Sequence, residues 1–415
     1  MYSWAEDLFP ICRSITGPGV RETLVYLHKL LPSLNVHDVP SGTSVFDWTV
    51  PDEWIIRDAY IADESGKRVV DFRENNLHVV GYSEPVDIWL EREDLEEYLY
   101  SLPDQPSSIP YVTSYYKRRW GFCLTHNLRV ALPRGLYHVV VDSDLRPGVL
   151  TYADLIIPGE TDKEVLLSTY ICHPSMANNE ISGPVVTTAL AHWLQSLAKR
   201  RYTYRIVFIP ETIGSIVYLS ENYKLMKERT VAGFVVTCVG DDRAYSFLPS
   251  RCGKTMADRI STHVLKHHAK NYVSYSFLER GSDERQYCSP LIDLPVVSVM
   301  RTKYGRYPEY HTSQDNLSLI SPEGLAGAYD AIRKCLMGLE VNYTYSNVHF
   351  GEPQLGKRGL YSSLSYQDPD TQSNLLAYAD GKKDLLEISE IIGENILNVA
   401  EIAARLECNG LIVKQ

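Results

Sequence analysis

Residues 168–184 read STYICHPSMANNEISGP. An apolar run ends at His173, and a short polar loop then supplies Asn178, Asn179 and Glu180. Three other segments share this grammar. YRIVFIP delivers Glu211 and then Thr212, and AGFVVTCVG delivers Thr237, followed by Asp241 and Asp242. LPVVSVM is preceded by GSDERQY, which holds Asp283, Glu284 and Arg285, and is followed by PEYHTSQDN, which holds Tyr310 and His311. Imidazoles and carboxylates without a thiolate set are the donor chemistry of a hydrolytic zinc site. Singly, each piece has a plainer reading. A loop histidine satisfies its own turn, Glu211 caps the next helix, and Asp283 with Glu284 is a solvated acidic pair. Joint placement argues for a site, because no spacing here is as specific as H-E-x-x-H.

The elements that must position these residues alternate. KEVLLSTYI, YRIVFIP, AGFVVTCVG and LPVVSVM read as buried strands. PVVTTALAHWLQSLAKR, GSIVYLSENYKLMKE, KTMADRISTHVLKHH and SPEGLAGAYDAIRKCLMGLE read as helices. Strands this continuously apolar, each followed by a helix, predict an α/β fold with a mixed, mostly parallel sheet and helices on both faces. Ligands bind such sheets beyond the carboxyl ends of the strands, where all the residues above fall. Residues 5–32 read as one opening helix closed by Pro32, packed on this layer. Short alternating runs such as RVVDF and GLYHVVVDSD predict a β-rich insertion, which also carries the aromatic and basic run YVTSYYKRRWGFCL. The tail opens with the connector GEPQLGKRGLYSSL and continues as three short helices and a final apolar strand, a winged-helix pattern. The domains expected are 1–45 plus 150–343, 46–149, and 345–415.

The chain has 415 residues, enough for two or three domains, and a formal net charge of −11. That charge disfavours nucleic acid or an anionic membrane as main partner. The tail repeats the point, with six Lys+Arg against ten Asp+Glu over 345–415, so packing or self-association suits it better than phosphate contact. No apolar run reaches membrane-spanning length, and the acidic start MYSWAEDLF does not read as a secretory signal. Eight scattered cysteines without C-x-x-C suit reduced, buried thiols in the cytoplasm.

Four stretches carry a family resemblance. CHPSMANNEISGP resembles the histidine loop and "N-D-x-x-S-G" element of M28-type zinc aminopeptidases, and PETIGS resembles their "E-E-x-G". GSDERQYCSPLIDLPVVSV resembles "S-D-H…G-I-P", and EYHTSQDNL resembles "Y-H-T…D". More narrowly, RSITGPGVRETL, FDWTVPDEW, ICHPSMANNE and GEPQLGKRGLY resemble bacterial aminopeptidase-like proteins with a DUF4910 core, an inserted DUF2172 domain and a C-terminal winged helix. The resemblance implies a role beside surface-polysaccharide biosynthesis. It also implies that Glu211 is the general base. The family's bridging Asp falls on Asn179, its ligand Glu on Thr212 and its ligand Asp on Thr237, so the two-zinc set is depleted and one Zn²⁺ is expected. His173 and His311 would hold that ion, completed by Glu180 or Asn179.

The function expected is metal-dependent hydrolysis of an amide, on a small molecule, a short peptide, or an aminoacyl or N-acyl sugar. Glu211 would move the proton, and Asp283 or Arg285 would orient the base or a substrate carboxylate. Tyr310, Arg119 and Trp120 would touch the substrate, the last two capping the pocket from the insertion together with Tyr115, Tyr116 and Arg118. The rival is a degenerate site that binds a sugar or nucleotide-sugar without cleaving it.

Overall fold

The computed structural model describes residues 1–360 and 371–415. The described chain divides into two compact units, residues 1–257 with 273–329, and residues 258–272 with 330–415. Residues 361–364 of the expected connector lie outside the described residues.

The first unit is built on an eight-stranded sheet. Its strands are β1 (Asn35–Pro40), β2 (Val149–Ile157), β3 (Glu164–Tyr170), β4 (Thr203–Ile209), β5 (Thr230–Val235), β6 (Ser246–Leu248), β7 (Val273–Ser274) and β8 (Val296–Met300). The spatial order is β1-β2-β4-β3-β5-β8-β6-β7. The centre, β4-β3-β5-β8, is parallel, and β1, β2 and β6 pair antiparallel around it. Every residue of β3 is buried, as a strand covered on both faces must be. The expected mixed, mostly parallel α/β fold is therefore present.

The opening segment departs from the expectation of one helix. Two helices form instead, α1 (Tyr2–Leu8) and α2 (Pro18–Leu30). Pro10 offers no backbone donor, and Gly17 sits at φ 97°, a conformation only glycine adopts freely. Pro18 then starts the second helix, where its missing N–H costs nothing. The break turns Arg13 into the interior, 2% exposed.

Between β1 and β2 the chain makes a four-stranded antiparallel sheet ordered Arg68–Asp71, Glu53–Ala62, Leu136–Arg146 and Val86–Glu91. The aromatic run is loop apart from the two-residue strand Phe122–Cys123, which pairs with Leu99–Tyr100. That loop is fastened to the segment after β8: Tyr111 N donates to His311 O at 2.8 Å, and Ser313 N donates to Ile109 O at 2.8 Å. In the second unit, strands Asp380–Asp384, Thr344–Asn347 and Ile412–Lys414 form a small sheet with helices Thr371–Tyr378, Leu385–Ile392 and Ile396–Cys408. Asp384 and Asn395 cap two of those helices, and Gly393 ends one at φ 77°. Among the described residues no helix is long and apolar enough to cross a membrane.

One turn of π-helix, Ala177–Ile181, leads into α3 (Ser182–Ser196), and α4 is Ile213–Arg229. Gly183 sits where α3 crosses the exit of β5. A Cβ there would collide with the Val236 carbonyl and the Thr169 hydroxyl. Gly183→Ala should cost about 1–3 kcal/mol, read as a lower urea midpoint at unchanged slope. A neutral result would mean that α3 and the exit of β5 do not approach this closely.

Candidate active site

The four central strands end on one side, and each is followed by a non-glycine residue in the left-handed region. These are Ser175 (φ 38°) after β3, Thr212 (φ 65°) after β4, Cys238 (φ 51°) after β5 and His311 (φ 56°) after β8. Such backbone costs about 1–3 kcal/mol per residue and collects where structure serves a site. Thr212 is β-branched, which makes its conformation the least expected of the four. Its N–H is held at 2.7 Å by Asp283 Oδ1, which also accepts from Ser215 Oγ at 2.8 Å.

These loops surround a cavity of about 310 Å³ whose wall includes His173, Glu211, Thr212, Arg285 and His311. His173 Nδ1 shares a 2.7 Å hydrogen bond with Glu180 Oε2, and Glu180 Oε1 lies 3.7 Å from Arg13 Nε. Arg13 also donates to the His173 carbonyl at 3.0 Å and to the Leu8 carbonyl at 2.8 Å. With a guanidinium behind the carboxylate, Nδ1–H is the donor, and the Nε2 lone pair faces the cavity. Glu211 Oε2 stands 3.7 Å from that nitrogen, too far for a hydrogen bond and open to a third group between them. The His311 ring centroid is 5.6 Å from that of His173, and its Nε2 is buried without a partner. Tyr310 stacks on His311 at 3.9 Å, and Tyr111 meets it edge-on at 5.1 Å.

Electrostatics keep both imidazoles neutral. Burial, then Arg13, pushes His173 down to about 3. Burial, then His173, does the same to His311, also to about 3. Burial pushes Glu180 up while Arg13 opposes it. Glu211 is raised by burial and then by the nearby Asp283, toward the range a base needs at neutral pH.

The other expected site residues are placed differently. Asn179 is turned away: its Oδ1 accepts from Tyr170 OH at 3.1 Å, and Tyr170 OH lies 2.5 Å from Thr237 Oγ1. Glu180 is engaged behind His173 rather than lining the cavity: Nδ1 takes its Oε2, and its Oε1 lies 3.7 Å from Arg13 Nε without a hydrogen bond. Asp283 is fully buried and orients the turn after β4. Arg285 is on the wall and donates to Thr212 Oγ1 at 2.5 Å. Arg119 and Trp120 do not cap the cavity. Arg119 is spent on the Thr113 carbonyl at 2.8 Å and Ser114 Oγ at 3.0 Å, and Trp120 stacks on Tyr98 at 3.8 Å. Both brace the loop from behind, and Trp48, Tyr111, Tyr115 and Tyr116 line the cavity instead. Arg13 and Cys172 carried no signal beyond lying in recognised stretches.

Among the described residues one set of three donor atoms lies mutually within 4.8 Å: Cys172, His173 and Glu180. It is a hydrogen-bonded group, not a cage. Burial pushes the Cys172 thiol well up, and the Arg13 cation already stands beside Glu180. The residues that fit an ion are those facing the cavity. Two neutral imidazole nitrogens, one of them orphaned, would hold one divalent cation. Asn179, Tyr170 and Thr237, all neutral, hydrogen-bond among themselves.

Arg13→Met leaves Glu180 uncompensated and should cost about 3–5 kcal/mol. Arg13→Met with Glu180→Gln should recover part of that loss in a double-mutant cycle by chemical denaturation. Strict additivity would show that the two side chains do not act as a pair.

Residues 2–342 match the family model described as a domain of unknown function, DUF4910, and residues 343–414 match a winged helix-turn-helix model. A Clostridium acetobutylicum protein, provisionally named a polysaccharide biosynthesis protein with aminopeptidase-like domain, is 46% identical over 395 residues, 94% of this chain and 90% of that one. The crystal structure of a protein from Clostridium acetobutylicum, provisionally called a peptidase, superposes with a TM-score of 0.95 at 44% identity, covering 100% of this chain and 96% of that one. A zinc aminopeptidase from Bacillus subtilis shares the fold at a TM-score of 0.59 and 12% identity, covering 81% of this chain and 93% of that one. With a core that shares the aminopeptidase fold and a C-terminal winged helix, the chain belongs to the DUF4910 family.

Proposed function

We propose that this protein is a metal-dependent amide hydrolase using one ion, acting on an aminoacyl or N-acyl sugar or precursor in polysaccharide biosynthesis. One observation carries the reading: two neutral imidazoles and the carboxylate of Glu211 meet in one cavity, and His311 Nε2 is buried without a partner. The name of the Clostridium acetobutylicum relative supports the polysaccharide setting. Eight unpaired cysteines support a reducing, cytoplasmic one.

His173 Nε2 and His311 Nε2 are the atoms that would hold the ion. A divalent cation there supplies Lewis acidity toward an amide carbonyl and toward water. Glu211, the one carboxylate on the cavity wall, takes the proton from water and delivers it to the leaving nitrogen. Glu180 keeps His173 in the tautomer whose free nitrogen faces the cavity, and Arg13 holds Glu180 from behind. Asp283 fixes the strained turn that aims Glu211. The neutral groups at Asn179, Thr212 and Thr237 also favour a second reading, in which the cleft binds a sugar without cleaving it.

Two protein nitrogens make a modest metal site. Dialysis against chelator should strip the ion, and titration with zinc should restore one per chain. His173→Ala and His311→Ala should each abolish that uptake. Glu211→Gln should keep the ion while kcat falls about 10²–10⁴-fold. Native protein that takes up no metal yet still binds sugar would replace the hydrolase reading with the binding one.

A further inference from the structure

One wall of the cavity is shaped for a ring. Trp48 and Tyr116 both line it and meet edge to face at 5.6 Å. Trp48 is 38% exposed and Tyr116 57%. Trp48 stands on the two-stranded hairpin Ser44–Val45 and Trp48–Thr49, whose turn residue Phe46 is held at φ 52° and is itself 55% exposed. Large aromatic faces left open at a cavity mouth mark a surface meant to be covered.

The charges on the same wall narrow what covers it. Among the residues lining the cavity, Glu211 is the one carboxylate and Arg285 the one guanidinium. Arg285 is exposed, donates to Thr212 Oγ1 at 2.5 Å and forms no ion pair among the described residues. A planar fork of this kind takes a carboxylate two-handed. A phosphate dianion would meet Glu211 on the same wall, so a singly charged group suits the site better. A peptide with a free amino terminus fits poorly. Its ammonium needs an acidic acceptor, and the one acid present is the base.

We propose that the substrate is a carboxylated N-acyl sugar. The C–H face of the sugar ring lies on Trp48 and Tyr116, its carboxylate sits on Arg285, and its N-acyl carbonyl points to His173, His311 and Glu211. The chemical step rests on the hydrolase reading above; the recognition does not. In that step water adds across the amide. The acyl carbon gains the hydroxyl, the C–N bond breaks, and the sugar nitrogen leaves with the proton carried by Glu211.

The test is calorimetric titration of the full chain in chelator, which separates recognition from metal. The probes are N-acetylneuraminic acid, N-acetylglucosamine, N-acetylglucosamine 6-phosphate and a leucyl-alanine dipeptide. The carboxylated sugar should bind best. Trp48→Ala should weaken it about tenfold or more. Arg285→Met should weaken it similarly and erase its advantage over neutral N-acetylglucosamine. Trp89→Ala, on an exposed ring of strand Val86–Glu91, should change nothing. Equal binding of the neutral sugar, tighter binding of the phosphate or the dipeptide, no binding of any probe, or indifference to both variants would overturn the proposal. Sugar binding without turnover after zinc is restored would leave this inference standing and end the hydrolase reading. Zinc-dependent cleavage of the dipeptide alone would do the reverse.

Discussion

Arg13 and Glu180 face each other at 3.7 Å with side chains 1% exposed, and the site depends on that buried pair. Removing two charges from water costs several kcal/mol per ion, and the attraction repays it only if the remaining donors are used. Here they are used only in part: Arg13 Nη2 and Glu180 Oε1 are buried without a hydrogen-bond partner among the described residues. The guanidinium reaches the carbonyls of Leu8 and His173, and the carboxylate reaches His173 Nδ1. Three separate stretches of chain thus meet at one point: the break after α1, the exit of β3 and the π-turn before α3. Apolar residues of equal volume could fill the space. They would not dictate which nitrogen of His173 is free, and that choice decides what the cavity can do.

The backbone around the pair is strained in a consistent place. Four strands in register deliver four left-handed residues to one edge, and the strain is held by specific bonds rather than spread. Asp283 grips Thr212, and Asp315 accepts from the N–H groups of Asn178 and Asn179 at 2.6 and 3.0 Å. Asn178 in turn bridges to Gly240 N and Asp241, tying the loop after β3 to the loop after β5. The apolar strands supply the rigidity, and the loops convert it into position.

Much of this was legible in the sequence, for a physical reason. Buried parallel strands leave an apolar signal too continuous to miss, and a polar residue just past such a strand has few places to go. His173, Glu211 and His311 fell out of that logic. Arg13 did not, because periodicity alone ran one helix through residues 5–32, and on a helix face an arginine reads as solvated. The break made by Pro10 and Gly17 turned it inward. Arg119 and Trp120 were misplaced because their run has neither strand nor helix period. In a loop the side chains follow local hydrogen bonds, so Tyr115 and Tyr116 faced the cavity while their neighbours braced it. Asn179 and Glu180 were assigned to the ion because the loop's sense of rotation was unknown. One turn of π-helix sends Glu180 to the far side of His173 and Asn179 to Tyr170.

Charge connects these placements to the number of ions. In the two-zinc pattern that the sequence resembles, acids stand at the positions of Asn179, Thr212 and Thr237, where their negative charge offsets two dications. Each neutral residue in this chain removes one unit of that compensation. Arg13 adds a fixed positive charge beside the carboxylate nearest the first histidine. In the proposed site a second dication would therefore enter a pocket with too little negative charge. One ion beside Glu211 meets a far smaller deficit.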